Sequence, residues 1–350
     1  MNHRSNNFDA LRLLGAFVVV VGHAYHLLGR PEGVPILLGF PIHSLGVIVF
    51  FSISGYLITA SWTRGRSLIA YFSGRFLRIF PGLIVVVLIT IFAIGPYATH
   101  LPLGRYFHAP ATWDYLQNVV LMPRYNLPGV FPHLPYPNAV NGSLWTLPAE
   151  FFCYLMVPLT LAWRRDLGAL LISLCLAAAL LLQRVPEASS AVIWGTRISD
   201  AAQMWAFFAA GALIRIAQER WRGFVRTDVA SLLTLGYLIL IAIRPTLVPW
   251  TAWVALPYVI LAVGLGSTPV IRRAARFGDF SYGLYLWAFP VQQLLIKVHG
   301  PVRTSYDILI VTAVSLALAY LSWHLIESPC LNLRQAIRRW AAPTTAVASA

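Results

Sequence analysis

The first residues in this chain that could do chemistry are Arg12 and His23, eleven positions apart inside one apolar stretch. On an α-helix that separation is about 1,100°, or about 20° past three full turns, so both side chains leave one face roughly 16 Å apart. An arginine in a membrane span is costly and faces a cavity or a partner, and Asp9 one turn earlier offers a carboxylate to neutralise it. The alternative is an interfacial arginine snorkelling to the cytoplasmic headgroups. Neutral imidazole takes a proton from a hydroxyl near neutral pH, which makes His23 the best candidate general base. A histidine that only bonds a neighbouring helix is the competing reading. His26, one turn on and nearer the outer interface, reads as structural.

Glu150 is the next candidate, as the carboxylate inside the apolar segment that follows Asn141-Gly142-Ser143-Leu144-Trp145. A buried carboxylate needs a partner or a proton. It could orient His23, pair with Arg12 or help hold an acceptor, and a structural ion pair is the alternative. Arg64, Arg66, Arg75 and Arg78 gather positive charge between two apolar segments, with Pro81 opening the next helix. Such a cluster suits phosphates, for instance those of coenzyme A, but sorting of positive charge to the inner face and binding of anionic lipid explain it equally well. Asn141-Gly142-Ser143 is a formal glycosylation sequon that reads better as a turn and helix N-cap. His324 and Glu327 look like a helix terminus before Pro329, with no third ligand for a metal.

The elements that must position these groups are membrane helices. With 58% hydrophobic and 11% charged residues over 350 positions, and a mean hydropathy of +0.70, the chain has too little polar surface for a water-soluble globule. Its net charge of +14 is spread between apolar blocks rather than gathered on one face with aromatics, which argues against a nucleic-acid partner. Spans are expected near residues 9–28, 41–63, 79–98, 143–163, 167–183, 198–217, 229–243, 250–267, 281–299 and 306–326. The fold class is therefore all-α and integral to the membrane, with about ten transmembrane helices. Residues 1–340 form the membrane domain and 341–350 a disordered tail.

Charge orients the bundle, because Lys and Arg near short loops stay inside. With the N-terminus inside, the inner segments hold sixteen, among them Arg4, Arg164, Arg334, Arg338 and Arg339, and the outer segments eight, among them Arg184 and the single lysine, Lys297. Both termini are then cytoplasmic. The N-terminal stretch is expected to be an uncleaved span, since charges interrupt it and no A-x-A site follows. The long segment 99–142 falls outside; it is either a lid over an outward-facing site or a rigid plug between helices. Cys153, Cys175 and Cys330 have no metal-like spacing and read as small core hydrophobes.

The order of motifs resembles the acyltransferase 3 family of bacterial membrane acyltransferases. The matching pieces are Phe8-Asp9-Ala10-Leu11-Arg12 with His23, Phe50-Phe51-Ser52-Ile53-Ser54-Gly55-Tyr56-Leu57-Ile58, and Arg75-Phe76-Leu77-Arg78-Ile79-Phe80-Pro81. They continue with Ser143 to Glu150, Phe280-Ser281-Tyr282-Gly283-Leu284-Tyr285-Leu286-Trp287 and Ile326-Glu327-Ser328-Pro329. The resemblance implies a multi-pass protein of the bacterial inner membrane that transfers an acyl group, most simply acetyl from cytoplasmic acetyl-CoA, to a sugar hydroxyl of a surface glycan or glycolipid. It implies catalytic roles for His23, Arg12 and Glu150. Donor-side candidates are Arg75, Arg78, Ser54 and Tyr56; acceptor-side candidates are Asn141, Trp145 and Asp9. Leu77 stands where relatives often have another arginine, and Ala288 where many have histidine, so that position is not catalytic here. No metal is expected, membrane lipid is a partner, and the oligomeric state stays open. Some relatives carry a further esterase-like domain; this chain is expected to work with its membrane part alone or with a separate partner. The rival from another class is a proton-coupled transporter or flippase of a glycolipid or small solute, and a purely structural membrane subunit is a third reading.

Overall fold

The computed structural model describes residues 6–162, 165–183, 185 and 190–333. Arg4, Arg164, Arg184, Arg334, Arg338, Arg339 and the 341–350 tail lie outside the described residues. A long helix occupies each of the ten expected segments: α1 (Phe8–Leu27), α2 (Ile42–Gly65), α3 (Leu68–Ile89), α4 (Thr146–Thr160), α5 (Arg165–Leu182), α6 (Ile198–Arg220), α7 (Thr227–Ile243), α8 (Val248–Leu265), α9 (Ser281–His299) and α10 (Thr304–Ser322). Among the described residues six helical segments are long and apolar enough to cross a membrane: Phe8–Leu27, Ile42–Gly65, Leu68–Ala98, Arg165–Leu182, Pro245–Leu265 and Thr304–Leu333; α7 is apolar but shorter. The chain is an all-α membrane protein. Its strands are two antiparallel hairpins, β1 (Ile36–Leu37) with β2 (Phe40–Pro41) and β3 (Val192–Ile193) with β4 (Thr196–Arg197).

One boundary is corrected. Pro81 does not open α3; it lies inside a helix that begins at Leu68, where the Ser67 side chain accepts from the Ala70 amide. Apolar residues continue the helix N-terminally, and one lost backbone hydrogen bond is tolerated where neighbouring helices surround the kink. Arg75 and Arg78 consequently stand within a helix, not on a surface turn.

Helix α2 is the central strut. Glycines let its neighbours approach to backbone contact, the usual route to tight packing where lipid removes the hydrophobic drive between helices. A Cβ at Gly46 would lie 2.3 Å from the Gly15 carbonyl of α1, and one at Gly55 would lie 2.0 Å from the Phe208 carbonyl of α6. Alanine at either site would force those helices apart.

The 99–142 segment is built as a plug. Tyr106 is fully buried and donates to the Ile91 carbonyl at 2.9 Å, a group in the π-turn Thr90–Ile94 that follows α3. Further on, Gln293 of α9 donates to the carbonyls of Tyr136 (2.9 Å) and Ala139 (2.7 Å), and the Asn141 amide donates to the Leu286 carbonyl at 3.0 Å. The turn Gly142–Trp145 then lies beside the first turns of α9, with Tyr285 donating to the Ser143 carbonyl at 2.8 Å. Irregular backbone at this depth persists because protein groups satisfy it. The Asn141 side chain also accepts from the Ser143 amide, the N-cap read from the sequon.

Candidate active site

Four charged side chains from four parts of the chain meet near the start of α1. Asp279 precedes α9 and caps it, accepting from the Ser281 amide at 3.3 Å and hydroxyl at 2.6 Å. Its Oδ2 also accepts from Arg78 of α3 at 2.7 Å and faces Arg12 of α1 at 3.5 Å. Arg78 reaches on to Glu327, 3.8 Å away in the turn after α10, where Ser322 donates to that carboxylate at 2.8 Å. Two cations facing two carboxylates leave the layer nearly neutral, as partly buried charge requires. Burial would raise the Asp279 carboxyl, but Arg78 and Arg12 outweigh it, and its pKa is held down at about 2.

Beside this layer lies a cavity of about 50 Å³, lined by Arg12, Arg78, Glu150, Tyr154, Tyr282 and Tyr285 among others. Glu150 accepts from the Ser54 hydroxyl of α2 at 3.4 Å and from the Tyr154 hydroxyl one turn along its own helix. Arg75 is buried, donates to the Tyr71 carbonyl at 3.1 Å and lies over the rings of Tyr71 and Tyr154. The expected cluster of four arginines therefore divides: Arg64 and Arg66 are exposed near the α2–α3 turn, whereas Arg75 and Arg78 are internal.

The structure brings Arg12, Arg78, Glu150 and Ser54 together, with Arg75 behind Tyr154. It does not add Tyr56, which is two positions from Ser54 and so on the far side of α2. Tyr56 instead accepts from Arg215 of α6 at 3.3 Å, and Arg215 pairs with Glu219 at 2.7 Å. Among the described ion pairs the carboxylate on Arg12 is Asp279, not Asp9. Asp279 and Tyr154 were not legible as site residues, and Glu327, read as a helix end, turns out to belong to the charged layer.

His23 stands apart from this cavity. Its ring lies 5.9 Å from His43 of α2 and 5.6 Å from Phe289 of α9, centroid to centroid, with His26 5.2 Å from His43. The Nδ1 of His43 is buried without a hydrogen-bond partner. Gly22 allows this approach, since a Cβ there would fall 2.6 Å from His43. Between the two candidates on α1, Ala16 and Val19 are packed shut. The two side chains expected to share one track thus stand in separate surroundings on one helix, Arg12 on the charged cavity and His23 among His43 and Phe289.

Of the acceptor-side candidates, Asn141 spends both ends of its amide on backbone, donating to the Leu286 carbonyl of α9 and accepting from the Ser143 amide. Trp145 lines a polar cup of about 570 Å³ with Tyr125, Asn126, Tyr136, Arg197 and Asp200. Arg197 and Asp200, from β4 and the start of α6, carried no motif by which to find them. Among the described residues no group of His, Cys, Asp or Glu could hold a metal ion.

The chain matches the model of the acyltransferase domain family, acyltransferase 3, over residues 5–324, and belongs to that family. It is an enzyme that transfers acyl groups other than aminoacyl groups. It is 32% identical over 334 residues to an O-acetyl transferase of Shigella phage Sf6, covering 94% of this chain and 97% of that one. It is 27% identical to nodulation protein 10 of Rhizobium leguminosarum bv. viciae, over 96% and 95% of the two chains. Peptidoglycan O-acetyltransferase OatA of Listeria monocytogenes is 26% identical over 92% of this chain and 55% of its own. No solved structure matches.

Proposed function

We propose that this protein is an O-acyltransferase of the bacterial cytoplasmic membrane. It takes an acetyl group from acetyl-CoA on the cytoplasmic side and delivers it to a sugar hydroxyl of a glycan or glycolipid at the outer face. Ten membrane crossings with both termini cytoplasmic belong to this reading, and the excess of arginine on the inner segments supports it. The observation that carries the reading is the pair of groups along α1: Arg12 on a charged cavity with Arg78, and His23 three turns on beside Phe289.

In this reading the thioester arm of the donor enters the cavity lined by Arg12 and Arg78 and passes upward as Ala16 and Val19 yield. Arg12 and His23 are too far apart to serve one tetrahedral carbon, so Arg12 positions the donor. His23 takes the proton of the acceptor hydroxyl, whose oxygen bonds the thioester carbonyl carbon while the carbon–sulfur bond breaks. The departing thiolate recovers the proton from the imidazolium. Trp145 and Tyr125 offer faces for a sugar ring, and Arg197 and Asp200 offer polar partners. An apolar groove lined by Phe152, Trp194 and Trp205 shares Thr196 with this cup and would take the lipid part of a glycolipid.

The test is transfer of labelled acetyl from acetyl-CoA to candidate glycans by purified protein in liposomes. Wild type should transfer label, and His23→Ala should lose at least about a hundredfold in rate. Wild-type rates in His23→Ala would sink the assignment of the base. Label retained on wild-type protein without acceptor, and absent from His23→Ala, would replace the base with an acyl-histidine intermediate.

A further inference from the structure

Six arginines of the described ion pairs, Arg12, Arg78, Arg165, Arg215, Arg220 and Arg226, each lie within 4.0 Å of a carboxylate. The loop 266–280 between α8 and α9 is different. It carries Arg272, Arg273 and Arg276 within five positions, all exposed, and none of them faces a carboxylate among the described ion pairs. Arg273 and Arg276 line a cavity of about 590 Å³ with Val270 and Phe277. The Phe277 ring is 61% exposed, and the Arg276 guanidinium lies 4.4 Å from its centroid. A planar aromatic flanked by unneutralised guanidinium groups suits a purine carrying phosphates, by stacking and by charge-assisted hydrogen bonds.

The loop is also held in place. The Asn7 side chain donates to Thr268 Oγ1 at 3.1 Å and accepts from the Thr268 amide at 3.1 Å, tying the loop to the start of α1. The turn Ile271–Arg273 packs against α1. Gly278, at φ +142°, passes so close to Trp323 that a Cβ would lie 2.5 Å from its ring. The next residue is Asp279, which holds Arg12 and Arg78. The basic patch is therefore fixed to the same residues that line the candidate donor cavity.

We propose that this loop is the docking site for the phosphorylated nucleotide end of the acyl-CoA donor, with Arg273 and Arg276 on the phosphates and Phe277 against the base. This rests on the acyl-CoA reading above. It explains how the donor could be held although Arg75 and Arg78 already have partners inside the bundle: the nucleotide stays outside and only the thioester arm enters.

The test measures binding to purified wild type, Arg273→Gln/Arg276→Gln and, as a control on the same face, Arg222→Gln, each in nanodiscs of zwitterionic lipid. The probes are acetyl-CoA and acetyl-pantetheine, which keeps the thioester arm but lacks the nucleotide. Monodisperse elution of each variant guards against misfolding. The double variant should weaken acetyl-CoA binding by about tenfold or more and leave acetyl-pantetheine unchanged, with Arg222→Gln like wild type. Equal weakening of both probes, or unchanged acetyl-CoA binding, overturns the proposal. So does a double variant that loses only affinity for phosphatidylglycerol vesicles, which would assign the patch to lipid headgroups. If wild type binds no acetyl-CoA at all, the acyl-CoA reading itself fails, and this inference with it.

Discussion

Arg12 of the first helix and Arg78 of the third converge on a single oxygen, Oδ2 of Asp279, at 3.5 and 2.7 Å. Two guanidinium groups so placed would repel one another without that carboxylate. The geometry of the candidate donor cavity therefore depends on a residue that lines no part of it.

Asp279→Asn is expected to destabilise the protein by about 3 kcal/mol, because it leaves two partly buried cations with Glu327 as their remaining carboxylate. Thermal unfolding in detergent reads this directly. A melting temperature equal to wild type would mean the cluster contributes no net stability.

Acidification should reveal the same carboxylate. Its folded pKa of about 2 lies below the ordinary 3.8, so its stabilisation is complete above the ordinary value and is lost as pH falls from there through the folded one. The gap in melting temperature between wild type and Asp279→Asn should stay level from about pH 5 to 8 and close below about pH 4. A gap that closes near pH 6 would point to a different titrating group.

Glu150→Gln keeps a side chain of the same shape but removes the charge opposite Ser54 and Tyr154. Acetyl transfer should fall by about tenfold to a hundredfold. Tyr154→Phe, which removes one donor and no charge, should cost less. If the two variants show the reverse order, the hydrogen bond rather than the carboxylate charge is what matters.

Gly22→Ala tests the packing of His43 beside α1 without removing a polar group. The added methyl must displace His43, and overpacking of this kind costs about 1–3 kcal/mol. Activity should fall alongside stability, while acetyl-CoA binding stays at the wild-type level. Unchanged activity would separate His43 from the reaction.

Trp145→Ala should raise KM for the glycan acceptor and leave KM for the donor alone, since Trp145 faces the outer cup and not the charged cavity. A donor effect of equal size would show that the plug, rather than the cup, had been disturbed.

Much of this architecture could be read from the chain. Apolar blocks separated by arginines marked segments in which the described residues are helical, and the Arg12–His23 spacing placed both on one helix. What escaped was contact between distant segments. Asp279 sits in a short polar loop with nothing local to mark it, and Glu327 resembles any carboxylate at a helix end. Only the packing of α1, α3 and α9 makes them partners. Tyr56 failed for a simpler reason, because a motif two residues wide straddles both sides of a helix. Pro81 misled because a proline in a membrane helix need not begin or end it.

The plug after α3 carries a consequence for insulation. A hydrocarbon layer is about 30 Å thick, yet the closed stretch between the Arg12 cavity and His23 is roughly half that, three turns of one helix. A continuous polar track through a membrane protein would be a leak for ions and protons. Here the seal is made of buried Ala16 and Val19 and of backbone groups already bonded to α9. The barrier can be thin because apolar side chains and paired backbone groups make up most of it.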